Sequence, residues 1–333
     1  MLTIVPDRER RLAYRGERRI DSIGVLRALC AFGVVAIHVA AGESSRILGP
    51  LYALAVPLFF VITGYFLLDG DGLIQPRRVE RQIVKIFKID IAANVFYVVF
   101  YGLMSHVIKN PMARLATPSA WLEQALSGAL ISTPLWYLHA LLVALLIIRL
   151  LCTTRRRLSL LTAIALAGLV LNLVWSFIAP ALKVYPLTTY TFIFLHTALP
   201  MIGVGVVIRL NQHLLTSRPA IVVLSMVAAV TLTFAAAHLT GSAAAPLYAL
   251  SRIAAVATVF PTVLLADRLQ TSRVLRAAAR FGSRHSLNIY IFHIAVFRLI
   301  ALLMTAATTE RLLLVIVATS ILSVALKRLR TSA

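Results

Sequence analysis

"RIDSIGVLRALCAFGVVAIHVAAG", residues 19–42, is an apolar run from about Ser22 to Ala41, interrupted by two ionisable side chains, Arg27 and His38. Roughly 20 apolar residues in helical geometry cover the hydrocarbon core of a bilayer. The run therefore has the length of a membrane span. No small-residue cleavage pattern follows it, so it reads as a retained helix rather than a signal peptide. With this span at 22–41, others are expected at 51–68, 86–108, 133–151, 158–178, 190–209, 219–239, 247–266, 285–304 and 311–326, about ten in all. Composition agrees. Of 333 residues, 60% are hydrophobic and 14% charged, and the mean hydropathy is +0.90. A soluble domain carries about 25% charged residues. The expected fold is all-α and integral to the membrane.

A net charge of +21 would point to nucleic acid in a soluble protein. Here the basic residues cluster between apolar runs, so topology accounts for them and no nucleic-acid partner is expected. With the N-terminus placed in the cytoplasm, the inner segments hold 24 Lys and Arg. They lie in 8–19, 77–88, 155–157, 209–218, 268–284 and 327–330. The outer segments hold 5: Arg46, Lys109, Arg114, Lys183 and Arg311. The positive-inside rule then places both termini in the cytoplasm, with an even number of spans. The chain divides into a basic N-terminal segment, 1–21, a single membrane domain, 22–326, and a basic tail, 327–333. Cys30 and Cys152 are far apart in sequence, which makes neither a disulfide framework nor a metal site.

Ionisable groups inside a span cost on the order of 2.5–3.5 kcal/mol each on insertion scales, so each needs a reason. Arg27 and His38 are 11 positions apart. At about 100° per residue they share one helix face, roughly 16 Å apart along the axis. Arg27 keeps its charge and must face protein, water or an anion; His38 exchanges a proton near neutral pH. The alternative is structural: Arg27 snorkels to head groups and His38 bonds a neighbouring helix. His139, His196 and His293 also fall inside spans, without the i, i+4 spacing of metal ligands. Glu43 follows His38 and is either its orienting partner or a loop carboxylate. In "QPRRVERQIVKIFK", residues 75–88, Arg81, Lys85 and Lys88 recur at i, i+4 and i+7 on one face. That stripe serves either topology and anionic lipid or the phosphates of a cytoplasmic donor.

Four stretches resemble one family. "IDSIGVLRALCAFGVVAIHVA", residues 20–40, resembles the first span of the acyltransferase family 3 membrane proteins, whose arginine and histidine with ten residues between are matched by Arg27 and His38. "VPLFFVITGYFLL", residues 56–68, is similar to the family's paired aromatics before Ser-Gly-Tyr, with Thr63 in place of the serine and Tyr65 matched. "TPLWYLHALLVALL", residues 133–146, looks like its Leu-Trp-Phe-Leu span, and "SRHSLNIYIFHIAV", residues 283–296, like its late Ser-Leu-x-Ile-Tyr-x-x-His element, matched at Tyr290 and His293. The matches run in order from about residue 19 to 297. The departure at His139, where many O-antigen members have an acidic pair, favours the compact branch resembling the enterobacterial common antigen O-acetyltransferase.

The resemblance implies a multi-pass protein of the bacterial inner membrane. It would move an acyl group, usually acetyl, from cytoplasmic acyl-CoA to a hydroxyl of a surface or lipid-linked glycan, with no tightly bound cofactor. Arg27 and His38 are the expected catalytic pair. Arg27, Arg81 and Lys85 would hold the phosphates. His38 would take the proton of the attacking hydroxyl or carry the acyl group. Thr63, Tyr65 or Tyr290 would donate to the oxyanion, with His293 beside the substrate. Thr63 and Tyr290 fit interhelical hydrogen bonds equally well, and Tyr65 an interfacial anchor. Two other classes stay open. A secondary transporter or glycan exporter would show inverted repeats or paired broken helices; a membrane sensor would carry a soluble effector domain.

Overall fold

The computed structural model describes residues 20–40, 43–69, 72–107, 117–151, 158–181, 190, 192–239, 244–267, 272–303 and 308–332. Most of segment 1–21, Cys152 and the side chain of Glu43 lie outside the described residues. The chain folds into α1 (Asp21–Val39), α2 (Glu43–Tyr52), α3 (Ala55–Tyr65), α4 (Pro76–Leu103), α5 (Pro118–Ser127), α6 (Trp136–Leu151), α7 (Leu158–Ala181), α8 (Leu199–Leu210), α9 (Gln212–Ser217), α10 (Pro219–Ala237), α11 (Ala244–Ala266), α12 (Arg273–Leu303) and α13 (Thr308–Ser332). No strand occurs among the described residues; one isolated bridge pairs Leu68 with Ile74.

Among the described residues, eight helical stretches are long and apolar enough to cross a membrane, one of them, Ile47–Tyr65, running through α2 and α3. They match eight of the expected spans. The other two also coincide with helices: α4, 28 residues long with its first turns charged, and the apolar stretch Phe194–Leu210, which falls below the spanning length. That stretch begins with a π turn, Phe194–Ala198. Its wider register accompanies a donated bond from Asn172 Nδ2 of α7 to the His196 carbonyl, 2.9 Å.

The helices are sorted by faces. On α4, Val84, Phe87, Ile91, Val95 and Val99 are exposed, while Asp90, Ala93, Tyr97 and Tyr101 are buried. Both sets follow helical spacing. An apolar stripe pointing outward and a polar carboxylate inward are the reverse of a soluble helix. An exposed apolar surface of this extent suits a lipid solvent.

Small residues set the tightest crossings. A Cβ on Gly282 of α12 would meet the carbonyl oxygen of Gly24 and the Ala28 backbone of α1, and one on Gly24 would meet the Ala279 carbonyl. Lipid offers no hydrophobic drive for helices to associate, so close backbone packing of this kind supplies it. Farther along, Phe32 lies near Phe281 and His38 near His293. From Gly24 beside Ala279 to His38 beside His293 the residue numbers rise together, so α1 and α12 run parallel. A similar crossing joins Gly64 of α3 to Ile202 and Gly205 of α8 to Val61. The main core lies between these helices and contains Phe60, Tyr65, Tyr97, Leu138 and Phe260.

Candidate functional site

At the end of the bundle where α12 begins, a cavity of about 360 Å³ opens between α1, α3, α4, α6 and α12. Three cations line it: Arg27, Lys85 and Arg284. Among the described residues that line it there is no carboxylate. Lys85 and Arg284 are exposed at the mouth, and Arg27 is half-buried. The Arg27 guanidinium sits 5.7 Å over the Phe66 ring, a cation–π contact at the cavity wall. Thr63, Gln82, Ser283 and Asn288 add polar surface, and the aliphatic side chains of Leu138, Leu141 and Leu287 add a dry wall. A cationic mouth leading into a mixed, narrow interior suits a ligand with an anionic head and a thin, weakly polar arm.

Tyr137 and Tyr290 belong to the lining as well, and both are buried. Tyr290 packs edge-on against Tyr137, centroids 5.2 Å apart, and lies 6.0 Å from the His293 ring. His293 in turn lies 5.2 Å from His38. A chain of rings thus joins the cavity to His38, which is not itself in the lining. Tyr290 donates its hydroxyl hydrogen to the Pro134 carbonyl, in the 3-10 turn Thr133–Leu135 that precedes α6. Tyr97 donates to the Ile291 carbonyl, 2.7 Å, and ties α4 to the same part of α12.

The cavity gathers Arg27, Lys85, Thr63 and Tyr290 from the expected site, and His38 and His293 stand together beyond it. Arg81 is exposed and folds back on the Arg77 carbonyl, 3.3 Å; it is not in the lining. Tyr65 faces another way. Its hydroxyl donates to Gln212 Oε1, 2.9 Å, and accepts from Arg209, 3.1 Å, whose guanidinium also covers its ring. Thr63 donates to the Phe59 carbonyl one turn earlier, 3.0 Å. The hydroxyl hydrogens of all three expected oxyanion donors therefore go to protein acceptors. Among N–H donors, Arg27 and the Asn288 carboxamide line the cavity.

Three features are not apparent from local sequence. Asp90 is buried, 3.7 Å from His139 Nδ1. Asn94 donates to Asp90 Oδ1 and accepts from Gln124, and Gln124 Oε1 accepts from the backbone N–H of Leu130 and Ile131. This network fixes the approach to Pro134, and Asp90 is close enough to Tyr290 to interact electrostatically. A carboxylate inside the expected span 86–108 was the available signal. Arg284 and Asn288, one turn apart on α12, are the others. Arg78 donates to the carbonyls of Phe66 and Leu68 and caps the end of α3. His196 is buried against Asn172 and Thr197, with Trp175 stacked on it, away from the cavity. Among the described residues no group of three or more His, Cys, Asp or Glu could hold a metal ion.

The fold and cavity define a class: a multi-pass helical membrane protein with an anion-attracting chamber opening at one end of its bundle. The sequence model of the acyltransferase family 3 domain, described as an acyltransferase domain, matches residues 20–328. The chain belongs to that family and is a membrane acyltransferase. No curated protein and no solved structure matches it.

Proposed function

We infer that the chain is an O-acyltransferase that takes an acyl group, acetyl by preference, from cytoplasmic acyl-CoA. The acceptor is a hydroxyl of a surface or lipid-linked glycan, and the site of action is the bacterial inner membrane. In this reading both termini are cytoplasmic, the cavity mouth faces the cytoplasm and the His38 end faces outward. The observation that carries it is the cavity itself: three cations without a carboxylate among the described residues of its lining, connected through Tyr290 and His293 to His38.

Each part has a chemical task. Lys85 and Arg284 draw the phosphates of acyl-CoA to the mouth, and Arg27 holds one of them by charge-assisted hydrogen bonds. The pantetheine arm extends along α1, where the spacing of Arg27 and His38 gives roughly 16 Å. His38 takes the proton of the attacking hydroxyl. The oxygen bonds to the acyl carbon, the C–S bond breaks, and the proton passes from His38 to the departing sulfur. Since the hydroxyls of Thr63, Tyr65 and Tyr290 are engaged, the Asn288 carboxamide N–H is the better donor to the developing oxyanion. The test is binding and release: acetyl-CoA should raise the melting temperature of the purified protein, and CoA should appear on adding membrane glycan. Neither effect, with folded protein, would remove the reading.

A further inference from the structure

His293 has a defined tautomer. It is fully buried, and its Nδ1 lies 2.6 Å from the Tyr290 carbonyl oxygen. A carbonyl only accepts, so Nδ1 carries the hydrogen and Nε2 presents a lone pair. Among the described residues, Nε2 has no hydrogen-bond partner. Buried acceptors are seldom left so, because an unmade bond costs on the order of 1–3 kcal/mol. The neighbouring ring is that of His38, 5.2 Å away by centroids and tilted by 38°. The close crossing of α1 and α12 at Gly24 and Gly282 sets the two histidine-bearing helices side by side.

We propose that His293 is a positioning residue for His38: its Nε2 accepts the N–H that His38 already carries on its other ring nitrogen, a bond that strengthens when His38 takes the acceptor's proton. This rests on His38 as the base. In the step, the hydroxyl O–H breaks and its proton goes to one ring nitrogen of His38. The other ring nitrogen, already protonated, turns its hydrogen toward His293 Nε2. The oxygen–acyl bond forms, the C–S bond breaks, and the added proton leaves His38 for the CoA sulfur. His293 gains and loses no proton. A neutral acceptor fits this task better than a carboxylate. It holds the uncharged His38 weakly and the imidazolium strongly, so its contribution falls on the transition state and on kcat.

Isosteric substitutions separate this role from a structural one. Asn places its amide at the position of Nδ1 and keeps the bond to Tyr290; Gln places its amide oxygen near Nε2 and keeps the acceptor facing His38. The assay uses inverted membrane vesicles from a deletion strain expressing the full chain, with [14C]acetyl-CoA as donor and alkali-labile label in the glycan fraction as product. His293→Gln should keep kcat within about 5-fold, whereas His293→Asn and His293→Phe should lose about 10- to 100-fold, the range of a charge-assisted hydrogen bond. The KM for acetyl-CoA should stay within about twofold in all three, as for an interaction made only in the transition state. Asn equal to or better than Gln, Phe at the normal rate, or a rise in KM alone would overturn the proposal. If Asn and Phe fail to fold, the Gln variant decides: loss of its rate in folded protein overturns it. Normal transfer by His38→Ala would instead remove the base on which the proposal rests.

Discussion

Replacing Arg27 with Gln should raise the KM for acetyl-CoA by one to two orders of magnitude and leave the fold intact. Gln is nearly as good a helix former as Arg, and its shorter polar side chain suits a position that lines a cavity. Arg27 is the half-buried member of the cationic group, held over Phe66. A charge-assisted hydrogen bond to phosphate in such a place contributes about 1.5–3 kcal/mol, which corresponds to a roughly 10- to 150-fold change. Lys85 and Arg284 are exposed, where solvent and salt leave a contact with about 0.2–1 kcal/mol, or a roughly 1.5- to 5-fold change. Arg27→Lys should fall between, because it keeps the charge and loses the planar fork. The assay is CoA release against acetyl-CoA concentration in vesicles, at two ionic strengths. The Lys85→Gln and Arg284→Gln effects should shrink at high salt and that of Arg27→Gln should persist. A KM for Arg27→Gln within twofold of the parent, or an effect smaller than that of Lys85→Gln, would refute the reasoning.

Five other substitutions probe the frame around the site. Tyr290→Phe leaves the Pro134 carbonyl without its donor, so a loss of about 1–3 kcal/mol in stability is expected with the acetyl-CoA KM unchanged; thermal melting and kinetics check both. Asp90→Ala removes the carboxylate that Asn94 and His139 face. It should destabilise by about 3–5 kcal/mol, and His139→Ala should add little in that background, measured by a double-mutant cycle. Gly282→Val would drive a side chain into the Gly24 carbonyl, whereas a Cβ on Gly102 meets nothing within 4 Å. The first should abolish the folded protein in detergent, and Gly102→Ala should match the parent in size-exclusion chromatography.

Much of the bundle is legible in the sequence because the bilayer imposes a length on each apolar run. The first expected span, 22–41, coincides with α1, Asp21–Val39, and the placement of Arg27 and His38 follows from helical period alone. Contacts made across helices are not legible in this way. The register of Arg81, Lys85 and Lys88 predicts a shared face, but which neighbour each one meets depends on the packing of α4 against α6 and α12. Lys85 lines the cavity and Arg81 folds onto its own helix. Thr63, Tyr65 and Tyr290 are hydroxyls in a familiar motif, and only tertiary structure reveals where their hydrogens go. Asp90 and His139 lie on different helices, and no local pattern pairs them. His293 can be picked out in sequence, yet its tautomer depends on the carbonyl of Tyr290.

The central claim is that the acyl group of acyl-CoA, drawn in at the Arg27 cavity, is passed to an acceptor hydroxyl by way of His38. The direct measurement is NMR of O-acetyl groups on surface glycans from a deletion strain complemented with the parent chain or with His38→Ala, at equal amounts of folded protein in the membrane. The account predicts that the parent restores O-acetyl signals missing from the deletion strain and that His38→Ala does not. Equal O-acetylation by the two would contradict it.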